Sequence, residues 1–147
     1  MHTNSDTARN QHPPRDMPLA IYRCYETSFL ALIIHQIDAA YWQEWDMFGV
    51  PGGVQGFLVL NALAVGAILF GYRELLMGGR WELHAAVLCG SLGLATAGIH
   101  IWFAAIGREE FHLPLSIAAI IACGASGIAL LELARRLPRR RRAAQAF

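Results

Sequence analysis

Four long apolar runs alternate with short polar stretches along this chain. Each run is close to the roughly 20 apolar residues that a bilayer span needs. The first begins at residue 19 or 22 and ends near residue 48, with its apolar centre at residues 29–34. Tyr22 and Tyr25 flank that centre on one side, and Tyr41, Trp42 and Trp45 on the other, where membrane interfaces favour aromatic rings. The segment GVPGG, residues 49–53, then breaks the pattern. Pro51 cannot continue a helix and the glycines permit a tight turn. The remaining runs cover residues 54–72, 83–106 and 115–134, separated by the connectors YRELLMGGRWE and GREEFHLP. Lipid cannot satisfy backbone polar groups, so each run predicts a helix. The alternating strands of a membrane barrel are not seen. The expected fold class is all-α: a four-helix transmembrane bundle running up-down-up-down, with the first two helices antiparallel neighbours across the short turn.

Composition strengthens the membrane reading. Charged residues make up 16% of the chain, against about 25% in ordinary soluble domains. Residues 1–18 are polar and proline-containing, and read as a disordered cytoplasmic tail rather than a cleaved signal. Residues 19–134 form the transmembrane domain and residues 135–147 a basic cytoplasmic tail. Every basic residue is an arginine. Arg9, Arg15 and Arg23 precede or open the first span, Arg73 and Arg80 lie in the middle connector, and six arginines follow the fourth span, while the other connectors hold only Arg108. The positive-inside rule places both termini in the cytoplasm, which fits a multi-pass protein of a bacterial inner (plasma) membrane. Pro138 is expected to interrupt the last helix. Arg135, Arg136, Arg139, Arg140, Arg141 and Arg142 are then expected to meet anionic lipid headgroups, at about 1 kcal/mol each near the surface, and not nucleic acid. The overall charge of +1 adds nothing about partners. Cys24, Cys89 and Cys123 have no CxxC spacing, so they read as small buried side chains rather than a disulfide or zinc framework.

Two helices carry rows of small residues. Ala86, Gly90, Gly93 and Ala97 lie on the third, and Ala118, Ala122 and Ser126, beside Ala119, Cys123 and Gly127, on the fourth. Such rows let membrane helices approach closely. They serve either contact within the bundle or a face for a second copy or a membrane partner.

Ionisable residues within the spans mark the candidate chemistry, because a charge there is costly. His35 and Asp38 share a helix face, which Trp42 and Trp45 extend. Glu44, nine residues beyond His35, falls off that face if the helix continues. In the up-down arrangement His100 and Asn61 lie in the same outer half. The candidate polar pocket is therefore His35, Asp38, Asn61 and His100. Its mouth is Trp42, Glu44, Trp45, Glu109, Glu110 and His112, while His84 falls at the opposite end. Three chemistries suit this set: a divalent metal held by His35, Asp38 and His100, proton transfer by an Asp–His pair, and, less favoured, haem ligation by two histidines. No HExxH, paired ExxH or CxxCH motif selects among them.

The stretch HxxDAxYWxEW followed by FGxPGGxQGFxxxN, residues 35–61, resembles a small bacterial family of four-helix membrane proteins of unknown function. That resemblance implies an integral membrane protein and no activity. A fainter likeness links WQEW, residues 42–45, to emopamil-binding and sterol-isomerase-like bundles, as an architectural analogy in which histidine, glutamate and tryptophan face a lipid-binding cavity. The expected function is a small binding or transport-related module with an outward-facing polar pocket for a metal ion, proton or small amphiphile. The alternatives are a membrane enzyme acting on a lipid or isoprenoid through an Asp/His acid–base pair, and an accessory subunit of a membrane complex.

Overall fold

The computed structural model describes residues 17–108 and 110–144, with side chains through residue 137. Among the described residues there is no strand. The helices are α1 (Leu19–Tyr41), α2 (Glu44–Met47), α3 (Val54–Leu76), α4 (Glu82–Ala105) and α5 (Pro114–Ala144). Three segments, Val54–Leu76, Glu82–Ala105 and the Pro114–Leu137 part of α5, are long and apolar enough to cross a membrane. α1 matches them in length but carries Arg23, Glu26, His35 and Asp38, and is not among the three.

Helix ends follow the punctuation of the sequence at most places. α5 opens on Pro114, where a missing N–H costs nothing and φ is already helical. α3 opens after Gly53, which sits at φ 56°, and Gly56 passes so close to Pro51 that a Cβ there would lie 2.0 Å from the Pro51 carbonyl oxygen.

Two boundaries differ from expectation. The first helix stops at Tyr41 instead of running to residue 48. Gln43 adopts a left-handed conformation (φ 53°), which turns the chain before the single turn of α2 begins. The second difference is at Pro138, where α5 continues to Ala144. A proline removes one backbone hydrogen bond and can kink a helix without ending it. The flanking leucine and arginines are good helix formers.

α5 packs along both α4 and α1, and α3 packs chiefly on α4. The α4–α5 contact is backbone-close. A Cβ on Gly93 would lie 2.6 Å from the Cys123 carbonyl oxygen, and one on Gly127 would lie 2.7 Å from that of Gly90. Much of the small-residue surface is thus used within the chain. α1 is tied to α3 by hydroxyls: Tyr25 Oη donates to the Ile68 carbonyl at 2.8 Å, and Tyr72 donates to the Glu26 carboxylate. Gly71 leaves the space that the Tyr25 hydroxyl needs. The larger apolar core gathers Ile21, Tyr25, Leu75, Cys89, Cys123 and Leu130. A smaller one joins Ala39, Phe57 and Phe111, with Trp42 and Trp45 packed against it. It lies beside the polar site.

The glycines on α4 give a direct test of this packing. Gly93→Ala should lower thermal stability in mild detergent, by an amount typical of overpacking, about 1–3 kcal/mol. Gly98→Ala, with nothing within 4 Å of the new methyl, should leave the melting temperature unchanged or slightly raised. Equal effects would show that the α4–α5 contact does not depend on the bare backbone.

Candidate functional site

The polar site forms where the end of α1, the turn of α2, the C-terminal part of α4 and the connector before α5 meet. His35 on α1 and His100 on α4 are buried, at 3% and 7% exposure. Their Nε2 atoms stand 3.3 Å apart, close enough for one ring to donate to the other, and the rings meet edge to face. Glu44 Oε1 approaches the same His100 nitrogen at 3.8 Å. Ligand atoms of His35, Glu44 and His100 all lie within 4.8 Å of one another.

Glu44 joins the cluster because α1 ends early. On a continuous helix it would point away from His35. The turn at Gln43 breaks that register, and α2 carries the carboxylate back over the histidines. Burial, then the neighbouring Asp38 carboxylate, pushes the Glu44 carboxyl up from 4.5 to about 7.

Asp38 occupies a neighbouring position. Its Oδ1 accepts a 2.8 Å hydrogen bond from Ser116 Oγ at the start of α5. Oδ2, also buried, has no hydrogen-bond partner among the described residues. The compact three-residue group therefore contains Glu44 where the sequence suggested Asp38.

Asn61 is not part of the cluster. Its amide donates to the Phe57 carbonyl of its own helix at 2.9 Å, a local bond that helical polar residues often make. Trp42 caps α1 and packs its ring against Phe111 and the exposed His112, while Trp45 packs on Phe57 of α3. Glu110 pairs with Arg108 at 3.5 Å. Glu109 lies outside the described residues. At the other end of the chain, Arg135 and Arg136 pair with Glu132 on their own helix. The side chains of Arg139, Arg140, Arg141 and Arg142 lie outside the described residues.

Sequence reasoning missed two residues here. Phe111 is buried, and its ring centroid lies 4.3 Å from that of His100 and 6.0 Å from that of His35, so it roofs the pair. It does so from a left-handed backbone conformation (φ 63°), which is unusual for a bulky residue. Nothing in the composition of GREEFHLP signals that conformation. Ser116 could have been sought by depth, as the hydroxyl closest to the start of the last span and level with Asp38.

Beside the cluster, a cavity of about 240 Å³ opens between α4 and α5, bounded by His100, Ala104, Arg108, Phe111, Ile117 and Ile121 among others. Trp42 and Trp45 do not line it.

The position of Glu44 predicts a pH effect with a definite sign. A carboxyl whose folded value lies above its unfolded value holds its proton more tightly in the folded protein, so stability falls as pH rises from about 4.5 through about 7. Thermal melts with a chelator present should therefore be higher at pH 5 than at pH 8, after subtraction of the Glu44→Gln profile as background. Glu44→Gln should flatten this part of the dependence. An unchanged dependence in Glu44→Gln would place the titration elsewhere.

Neither a curated protein nor a solved structure gives a significant match to this chain. A protein family does, over residues 21–137, a range that contains all of α1 to α4 except its first two residues and most of α5. The chain belongs to DUF6713, a family of unknown function.

Proposed function

We propose that this protein is a four-span membrane module that binds one divalent transition-metal cation at its outer end, through His35, Glu44 and His100. The observation that carries the reading is the convergence of three buried ligand atoms from α1, α2 and α4. Nitrogens bound to a tetrahedral zinc at about 2.0–2.1 Å stand about 3.3–3.4 Å apart. The two Nε2 atoms have that spacing already. Two imidazoles and a carboxylate are donors suited to zinc, and to iron or manganese with a change of geometry. Three protein ligands leave one position open, as in sites that exchange or activate a bound molecule. Haem fits poorly, because a macrocycle has no room between nitrogens 3.3 Å apart.

On this reading α1 is the fourth span despite its charges. Glu26 is bonded by Tyr72, His35 meets His100 and Asp38 is bonded by Ser116. Ionisable groups facing partners inside a bundle are tolerated where lipid-facing ones are not. Threading runs up-down-up-down with both termini on the cytoplasmic side, supported by the arginines around the first span, the middle connector and the end of α5.

Isothermal titration of zinc into purified protein in nanodiscs tests the proposal. One ion should bind per chain. His35→Ala and His100→Ala should each weaken binding at least about 100-fold, since losing even an outer-shell partner commonly costs about 10–100-fold. Asp38→Asn, adjacent to the three ligands, should cost less than either. His84→Ala, exposed near the far end of α4, should change nothing. Full affinity in His35→Ala would overturn the assignment.

A further inference from the structure

The cavity between α4 and α5 has an apolar wall and a polar corner, and both bear on what reaches His100. Ile117 and Ile121 line it and are 47% and 63% exposed, on a segment apolar enough to sit in lipid. Its open side therefore faces hydrocarbon. Its polar corner holds His100, Arg108 and Glu110. Arg108 pairs with Glu110 at 3.5 Å, yet its side chain is about half exposed, so it can turn toward a second anion. Glu44 and Asp38 do not line the cavity. An entering group thus meets His100 and Arg108, with Glu110 as the opposing carboxylate among the described residues.

We infer that this cavity takes the head of a single-chain anionic amphiphile, a long-chain carboxylate, which enters sideways from the outer leaflet and reaches the cation held at His100. The inference rests on the metal-binding reading and adds the class of molecule that fills the open coordination position. At about 240 Å³ the space is smaller than the roughly 300–1,000 Å³ that encloses a drug-sized ligand. It accommodates a carboxylate and the first carbons of a chain, and the remainder lies along Ile117 and Ile121 in the bilayer. The orientation matches that of any lipid in that leaflet: the head at the α4–α5 connector, the tail toward the membrane centre. A carboxylate suits both positive groups, as a ligand of the cation and as a partner for the arginine fork. Phe111 forms part of the wall beside His100, packs on both histidine rings, and stands between the cavity and His35, which does not line it.

Photolabelling in nanodiscs tests this. The probe is a saturated long-chain fatty acid carrying a diazirine a few carbons from the head. The alcohol of the same length is the comparison, and zinc is present or chelated. The acid should label Phe111 and the peptide containing Ile117 and Ile121 in preference to the lipid-facing residues of α3. That labelling should fall about tenfold when zinc is removed or the alcohol replaces the acid, the loss expected for a charge-assisted contact. Ala104→Phe, which fills the cavity, should abolish the labelling and leave the zinc affinity unchanged. Arg108→Gln should weaken labelling by the acid without weakening zinc binding. If zinc binds normally and the acid labels α3 and the cavity equally, the amphiphile inference alone fails. If zinc does not bind, the metal reading fails by its own titration, and zinc-independent cavity labelling then overturns this one as well. Equal labelling by acid and alcohol also overturns it.

Discussion

The contact between His35 and His100 is the constraint that orders the end of this protein where α1 finishes and α5 begins. Two imidazoles are buried together, their Nε2 atoms 3.3 Å apart, on helices separated in the chain by α2, α3 and the connectors around them. A buried polar group without a partner is expensive, so this contact demands that α1 and α4 lie side by side at that level. The neighbouring arrangements are compatible with the same demand. Glu44 returns over the pair by way of the turn at Gln43, Ser116 holds Asp38 from α5, and Phe111 covers the rings from a backbone conformation that a bulky residue seldom adopts. The rest of the fold is held differently, by tyrosine hydroxyls between α1 and α3 and by bare backbone between the middle parts of α4 and α5.

α1 shows how a helix with four ionisable side chains can belong with apolar neighbours. Its length is that of a span, and its hydropathy is reduced by groups whose partners come from elsewhere in the fold: Tyr72 for Glu26, His100 for His35, Ser116 for Asp38. Hydropathy counts the groups and cannot count the partners. The proposed fourth span and the proposed metal site share His35, which makes α1 more polar and also meets His100 in the cluster.

The helices were legible where hydropathy and glycine or proline punctuation agree. α3, α4 and the start of α5 begin within two residues of the positions read from the sequence. The approximate depth of His35 and His100 was legible too, since an alternating threading puts them in one half. Their partners were less so. Position in the connector puts Glu44 at the mouth and a continuous helix turns it off the His35 face, but α1 stops at Tyr41 and the left-handed Gln43 undoes that extrapolation. Asn61 had the right depth, but its amide bonds its own helix. Pro138 carried a strong local signal that the surrounding helix formers overrode. Depth is a one-dimensional property that a sequence carries well. The side of a helix on which a residue ends depends on where the helix stops, and here that was set by a single backbone torsion.

The central claim is that α1 and α4 each supply an imidazole to one bound cation. Zinc-edge X-ray absorption on the zinc-loaded protein in nanodiscs reads this directly. The account predicts a first shell with two imidazole nitrogens and a carboxylate oxygen at about 2.0–2.2 Å, with one imidazole lost in His35→Ala. A shell of oxygens alone, or an imidazole count that His35→Ala leaves unchanged, would contradict it.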